Sequence, residues 1–582
     1  MAKPVMSRLL TVAALGLPLV AAPVSASAHP AVPGRSHPAA SARSHTAASP
    51  TSHTAVFATG HTMASPTSHT TASATSHTTA TRAAPPALDA VIPAPVQVTP
   101  AAGTSFRLGP LTVIRTQPGS AAARAVGRQL ARDLRPATGY RLPVTPVAPP
   151  RVPAISLLLG ANDSRLGSEG YRLEVTGRAV TVRANRPAGL YAGTRTLLQL
   201  LPTQIDSPTV VQRAWTVPGG RIVDYPRFAY RGAFLDEARH FHTPDEIKAY
   251  VDEVSRFKVN YLHLHLSDDQ GWRIQIDSWP RLTEVSGGPG TGVDGVGPGY
   301  LTKSEYREIV AYAAQRYVTI VPEIDMPGHV NAAQVAYPEL TCDGVAPPPR
   351  TDTAVGYSSL CIGSERTYRF VEDVIRELAA MTPGPYLHIG GDEAHATPEA
   401  DYLTFQQRVL PLVAKYGKIA YGWNEIAKSP ASGTAVAQYW DTATTNATVA
   451  AAVARGTKVV MSPANKAYLD MKYDRNTPLG LSWAGYIEVR TAYDWDPATR
   501  VAGVGEAAVL GVEAPLWSET LRSLDDIEFM AFPRLPAIAE LGWSPASTHD
   551  WESFSARLGS YGPRWTLQDV NFYPSPQINW EN

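Results

Sequence analysis

Cysteine is almost missing from this chain: Cys342 and Cys361 are the only two among 582 residues, so at most one disulfide can form. An excess of either charge is missing too. Lys plus Arg and Asp plus Glu both number 51, and the formal net charge of zero excludes the basic surplus with which nucleic-acid binders hold phosphates. Beyond residue 28, no apolar run reaches the length of a bilayer span, so no membrane span is expected. No Gly-x-Ser-x-Gly elbow occurs, which leaves a serine hydrolase of that kind without a starting nucleophile. A Gly-x-Gly-x-x-Gly string does occur at Gly290, Gly292 and Gly295. It neither follows a strand nor opens a helix, and it reads as a mobile loop over a pocket, not a dinucleotide site.

What is present starts with an export signal. Lys3 and Arg8, an apolar run, and Ala26-Ser27-Ala28 have the layout of a secretory signal peptide over residues 1–28, so the chain is expected to be secreted and extracellular. No cysteine lies near the cleavage site to carry a lipid anchor. In an oxidising compartment Cys342 and Cys361 read as one disulfide, with two free buried thiols as the alternative. Residues 29–88 hold an octapeptide repeat of Ser, Thr, Ala, Pro and His, running from SHPAASAR at Ser36 to SHTTATRA. Such a tract has too little apolar surface to offset chain entropy and is expected to be a disordered linker. Its evenly spaced histidines (His37, His45, His53, His61, His69, His77) could bind a metal loosely, but a solvated spacer accounts for them more simply.

Residues 89–220 read as a small α+β domain. Strands are expected at 111–114 and 155–159, helices at 121–134 and 189–201, and a hairpin of 171–175 with 180–183 around Gly177. From 221 to 582, β-branched runs alternate with helical stretches. Candidate strands at 230–235, 261–266, 318–324, 386–389, 419–423, 436–440, 458–462 and 509–512 predict an α/β catalytic domain, a (β/α)8 TIM barrel. In that fold catalytic groups follow the strand ends. Here the strand ends carry, in order, Asp236 with Arg239; Asp268; Asp325 with His329; Asp392 with Glu393; Trp423 with Glu425; Trp440; Tyr468 with Asp470; and Trp517 with Glu519. Aromatic faces stack on the C–H faces of sugar rings while carboxylates and Arg bind hydroxyls, so the lining points to a sugar. Trp423, Trp440 and Trp517 could enclose one small apolar substituent.

Asp392-Glu393 is the sharpest feature. Read alone, an Asp-Glu dipeptide is a solvated turn. After Leu387-His388-Ile389-Gly390-Gly391, whose glycines allow close backbone approach, it reads as a pair in which ionising one carboxylate raises the pKa of the other and keeps an acid protonated near neutrality, able to donate to a leaving glycosidic oxygen. Ordinary retaining glycosidases need a second carboxylate about 5 Å across the site as nucleophile. Neighbours on a strand project to different sides, so this pair is poorly placed for that work, and Asp392 is better read as holding the substrate.

HIGGDE, with LHLSDDQGWR, EIDMPGH and the LWSE stretch, resembles the family 20 glycoside hydrolases, the β-N-acetylhexosaminidases. The resemblance runs from roughly residue 225 to 545, and the preceding domain is similar to that family's N-terminal domain. It implies exo-acting, retaining hydrolysis of terminal β-linked GlcNAc or GalNAc, with the substrate's 2-acetamido oxygen as nucleophile and an oxazolinium intermediate. It further implies Glu393 as general acid/base and Asp392 as the group that orients the acetamido nitrogen. Tyr468 would bond the acetamido oxygen, and Trp423, Trp440 and Trp517 would surround its methyl group. Arg239 would grip the 3- and 4-hydroxyls, Asp470 and Glu519 the 6- and 4-hydroxyl region, and Asp268 with His329 would form a buried relay supporting Glu393. The expected partner is a glycan or chitooligosaccharide, with no cofactor, no metal, no nucleic acid and no obligate protein partner. Two alternatives stay open. One is a metal-dependent hydrolase on the same barrel, built on His263, His265, His329 and His388. The other is a non-catalytic sugar-binding surface protein, which would keep the Trp and Arg residues but have no need for Glu393.

Overall fold

The computed structural model describes residues 87–147 and 151–581; the signal-peptide reading and nearly all of the repeat lie outside them. Leu88, assigned from sequence to the end of the linker, is buried in the core of the N-terminal domain, so the folded chain begins earlier than expected.

That domain is a seven-stranded sheet in the order β1-β7-β5-β6-β4-β2-β3, formed by β1 (Gln97–Leu108), β2 (Val113–Thr116), β3 (Val144–Thr145), β4 (Ala154–Leu159), β5 (Tyr171–Val175), β6 (Ala179–Ala184) and β7 (Trp215–Asp224). Helices α1 (Ala121–Thr138) and α2 (Pro187–Gln199) cover it. Helix α1 starts where Ser120 Oγ accepts from the Ala123 amide at 3.1 Å and stops at Gly139, whose φ of 67° ends the helix in the left-handed region. Between them Ala123, Val126, Leu130 and Leu134 are buried at helical spacing. The expected hairpin pairs Tyr171 with Ala184 and Val175 with Val180. Two corrections arise. The strand expected from Leu111 starts at Val113, and Leu111 is exposed. Strand β7 runs on to Asp224, so a domain boundary at 220 would cut a strand in two. Strands β1 and β7 escaped the sequence reading because internal Pro and Gly, which weaken a central strand, interrupt both.

All eight expected barrel strands are present: β8 (Tyr230–Asp236), β9 (Tyr261–His265), β10 (Thr319–Glu323), β11 (Tyr386–His388), β12 (Ile419–Trp423), β13 (Val436–Tyr439), β14 (Lys458–Met461) and β15 (Val509–Ala514). Every neighbouring pair is parallel, and β15 closes the barrel on β8. Strands buried on both faces need no polar alternation, and every residue of β8 is buried. At the end where the strands begin, Tyr230 stacks on Tyr261 at 4.2 Å and meets Tyr421 edge-on at 6.0 Å, plugging the barrel. One close approach requires glycine: a Cβ on Gly232 would lie 2.5 Å from Glu513 Oε2 inside the barrel.

The two domains share a buried polar joint. Asp224, at the end of β7, accepts from Trp543 Nε1 at 2.9 Å and Tyr171 Oη at 2.6 Å and pairs with Lys258 Nζ at 3.0 Å. A carboxylate withdrawn from water needs such a complete set of partners. Among the described residues, no helix is long and apolar enough to cross a membrane.

Candidate active site

Strand β11 ends at His388, and the chain then bends through Gly390 (φ 63°) and Gly391 (φ 104°). A Cβ at Gly390 would lie 1.8 Å from Asp325 Oδ1, so only glycine fits there, and that same oxygen accepts from the Gly391 amide at 2.9 Å. Glu393 itself has φ 42°, an uncommon conformation for a residue with a side chain. Asp392 and Glu393 therefore stand on a turn beyond the strand, and strand alternation does not separate them. Instead both approach one nitrogen: His329 Nε2 lies 3.8 Å from Asp392 Oδ2 and 3.7 Å from Glu393 Oε2. The two acids line one wall.

His329 is held from behind, its Nδ1 3.0 Å from Asp268 Oδ1. The other oxygen of Asp268 meets Arg239 at 2.9 Å and His265 Nε2 at 2.7 Å. Burial would raise the Asp268 pKa, but Arg239 and His329 hold it well below the usual carboxylate range. Burial opposes charge on His329 as well, yet Asp268 and Asp392 push its pKa up to about 10. The Asp392 pKa is raised well above the usual carboxylate range, driven first by burial and then by the nearby Asp325, with Glu393 a smaller contributor.

Trp423, Trp440 and Trp517 stand at or just past the ends of β12, β13 and β15. Trp423 is fully buried and tilts against Trp517 with ring centroids 5.7 Å apart, and Tyr468 lies 6.4 Å from Trp517. Trp440 joins that group through Trp483 and Tyr468. Its Nε1 donates to Glu425 Oε2 at 3.2 Å, and its ring meets Trp483 at 6.1 Å. Burial pushes Glu425 up to about 7. Trp483, 55% exposed, also meets Tyr468 edge-on at 5.8 Å. The sequence reading missed it by searching only at strand ends, whereas this indole sits in the long loop after β14.

Arg239 lies over the Trp517 ring at 4.9 Å and donates to Gln270 at 3.1 Å. Near it, Glu519 is pushed up to about 7 by burial, with Arg239 opposing, and Asp470 rises through burial and the neighbouring Glu519. Both carboxyl oxygens of Asp470, Oε2 of Glu519, Oδ1 of Asp392 and Nε1 of Trp423 are buried without a hydrogen-bond partner in the protein. Buried polar atoms are nearly always paired, so this set, mostly acceptors, suits a ligand rich in O–H and N–H donors.

Two loops brace the mouth. The stretch expected to be a mobile loop is bonded to the barrel through Gly292 N to Gln270 O at 2.9 Å, Val293 N to Arg239 O at 2.9 Å and Arg273 to Gly299 O at 3.0 Å. Cys342 and Cys361 are joined by a disulfide, and the segment between them places Ser358 Oγ 2.6 Å from Asp269.

His263 and His265 lie deeper in the barrel, fully buried. His265 Nδ1 and His263 Nε2 lie 2.6 and 3.1 Å from Glu323 Oε2, and His388 Nδ1 lies 2.7 Å from Glu323 Oε1. Ligands about 2.1 Å from one tetrahedral zinc stand about 3.4 Å from each other. The observed spacings are those of direct His–carboxylate contact.

A family model described as "Glycosyl hydrolase family 20, catalytic domain" matches residues 228–546, and "Glycosyl hydrolase family 20, domain 2" matches residues 89–225. A Cellulomonas fimi β-N-acetylhexosaminidase is 41% identical over 491 residues, spanning 84% of this chain and 97% of that protein. The Streptomyces plicatus N-acetyl-β-hexosaminidase in complex with Thio-NAglucal is 54% identical with a TM-score of 0.83, the match covering 86% of this chain and 99% of the other. The Streptomyces coelicolor A3(2) β-N-acetylhexosaminidase is 53% identical with a TM-score of 0.83, over 86% of this chain and all of that one.

Proposed function

The chain belongs to glycosyl hydrolase family 20, and from that premise we infer that its barrel mouth removes single β-linked N-acetylhexosamine residues from the non-reducing ends of glycans. It is a β-N-acetylhexosaminidase. The observation that carries the mechanism is that Asp392 and Glu393 both lie within 4 Å of Nε2 of His329, on the same side of it. A nucleophile must face the acid across the scissile bond, and two carboxyls on one imidazole nitrogen share a side. The substrate's acetamido oxygen takes the nucleophile's place.

In the first step that oxygen forms a bond to the anomeric carbon as the glycosidic C–O bond breaks, and Glu393 gives its proton to the departing oxygen. The acetamido group becomes a cyclic oxazolinium, whose N–H donates to Asp392. Tyr468 donates to the acetamido oxygen as it attacks, and Trp423, Trp440 and Trp517 hold the methyl group. In the second step water attacks the same carbon, Glu393 takes the water's proton, and the ring reopens with the β configuration restored. Arg239, Asp470 and Glu519 bind the sugar hydroxyls, which answers the unpartnered acceptors of the pocket. Donors and dipoles already aimed at developing charge are the largest source of such rate enhancement.

Chito-oligosaccharides are the substrate class we assign, and residues 1–28 make the chain a secreted enzyme. A thiazoline mimic of the cyclic intermediate should inhibit far more tightly than the product sugar does. Comparable turnover of a plain β-glucoside would overturn the mechanism. N-terminal sequencing of protein recovered from culture medium should begin just after Ala28.

A further inference from the structure

Below the acid/base group the barrel interior holds a file of ionisable side chains that the reaction just described does not use. Tyr230 Oη donates to Glu513. Glu513 Oε1 lies 2.9 Å from His263 Nδ1, and His263 Nε2 lies 3.1 Å from Glu323 Oε2. That same oxygen lies 2.6 Å from His265 Nδ1, while His265 Nε2 lies 2.7 Å from Asp268 Oδ2. Asp268 Oδ1 then meets His329 Nδ1 at 3.0 Å, and His329 Nε2 faces Glu393 Oε2 across 3.7 Å. Carboxyl and imidazole alternate along the whole file, and none of the side chains from Glu513 to His329 is more than 2% exposed.

We propose that His265 and Glu323 are positioning residues for the hydrolysis: together they fix the charge and orientation of Asp268 and His329, and through them the protonation of Glu393. This rests on the reading of Glu393 as the acid/base.

The argument is one of proton placement. Both nitrogens of His265 face carboxyl oxygens at hydrogen-bond distance, so both carry protons and the ring is a cation. Burial opposes that charge, but Glu323 and Asp268 offset it and push His265 up to about 10. Asp268 Oδ2 is then filled by donors from His265 and Arg239, and its Oδ1 accepts from the Asp269 amide at 2.6 Å. A carboxylate so surrounded can only accept, which compels His329 to present N–H at Nδ1 and leaves its Nε2 proton facing the acids. When Glu393 gives up its proton, a fixed cation already stands beside the new anion. The other groups around His265 are Asp325, clustered with it and Glu323, and the rings of Trp517 at 4.9 Å and Phe234 at 5.9 Å. Trp517 thus ties the file to the wall of the sugar pocket.

The test uses the full chain and compares pH–rate profiles. His265→Gln removes a positive charge from beneath the acids, so both limbs should move alkaline by roughly half to one pH unit. Its kcat on chitobiose should fall about tenfold or more, with less loss on a nitrophenyl glycoside. Glu323→Gln removes a negative charge and should move the limbs the opposite way. Leu264→Ala, a core truncation on the same strand, should lower the thermal transition and leave the profile in place. Profiles of both polar variants superposing on wild type would overturn the proposal. Should either variant fail to fold, 15N-histidine spectra of the wild-type enzyme still decide. Imidazolium signals that do not titrate between about pH 5 and 8 are expected for the buried file, and a neutral His265 would overturn it. Failure of the underlying functional reading would show instead in the wild type, as no turnover of any N-acetylhexosaminide.

Discussion

Nε2 of His329 stands 3.7 Å from Oε2 of Glu393, while Nδ1 of the same ring contacts Asp268 at 3.0 Å. An imidazolium fixed between a permanent anion and the acid stabilises the acid after it has donated. His329→Asn should therefore lower kcat by about 10² or more, with KM much less affected. The variant should also change the pH dependence of stability. The His329 pKa is raised in the fold from 6.5 to about 10. Its contribution is fully present below pH 6.5 and is lost as pH rises through about 10. Thermal transitions measured across that window should fall less steeply for the variant than for wild type.

Glu425 carries the same sign from a different cause, burial in place of ion partners. Burial lifts its pKa from 4.5 to about 7, so between those values the unfolded chain is ionised while the folded one keeps its proton. Stability then declines as pH rises through the window, by roughly 3 kcal/mol in full. Glu425→Gln keeps an acceptor for the Trp440 indole and removes the titration. Its melting temperature should vary less than that of wild type between pH 4.5 and 7, and an unchanged slope would show that Glu425 ionises freely.

Trp483 is exposed at the pocket mouth, against Trp440 and Tyr468. An exposed indole there offers a face to whatever sugar follows the scissile bond. Trp483→Ala should raise KM for chitobiose and longer oligosaccharides about three- to tenfold, in keeping with 0.5–1.5 kcal/mol for a stacked ring. The effect on kcat should be small. Equal KM changes for a methyl glycoside, which has no second sugar, would remove Trp483 from that role.

The folded chain begins by Leu88, which is buried in the N-terminal domain. A chain starting at residue 87 should keep its kcat and its thermal transition, both measured against the full-length protein. A large loss in either would mean that the repeat contributes to the folded part.

The barrel was legible because its strands, buried on both faces, read as short β-branched runs, and because its acids and aromatics cluster just past them. Strands β1 and β7 were not legible, since their Pro and Gly break the alternation that marks a strand. Among the site residues, Glu393 and His329 follow strands in sequence and could be picked out there. Glu323 and His265 are strand residues, and only the closed barrel shows their side chains converging on Asp268's neighbourhood. Asp325 is similar: its influence on Asp392 arises because Gly390 and Gly391 let the two segments approach, which adjacency in sequence cannot show.

The division of labour between Asp392 and Glu393 has its own signature. Glu393 protonates the departing oxygen, so its importance depends on how much help that oxygen needs. Glu393→Gln should nearly abolish cleavage of chitobiose, whose alkoxide leaves poorly, by about 10²–10⁴. It should spare more activity on a nitrophenyl glycoside, whose leaving group departs with little protonation. Asp392 acts on the attacking acetamido group, which is required whatever leaves. Burial and Asp325 hold its pKa well above the carboxylate norm, and His329 opposes them; the N–H of the oxazolinium then meets a group it favours in the ionised state. Asp392→Asn should slow both substrates by similar factors. Rates for the two variants on a series of aryl glycosides separate the roles. Glu393→Gln should show a steep dependence on leaving-group pKa and Asp392→Asn a dependence close to that of wild type, whereas parallel slopes for both would mean the acids act as one unit.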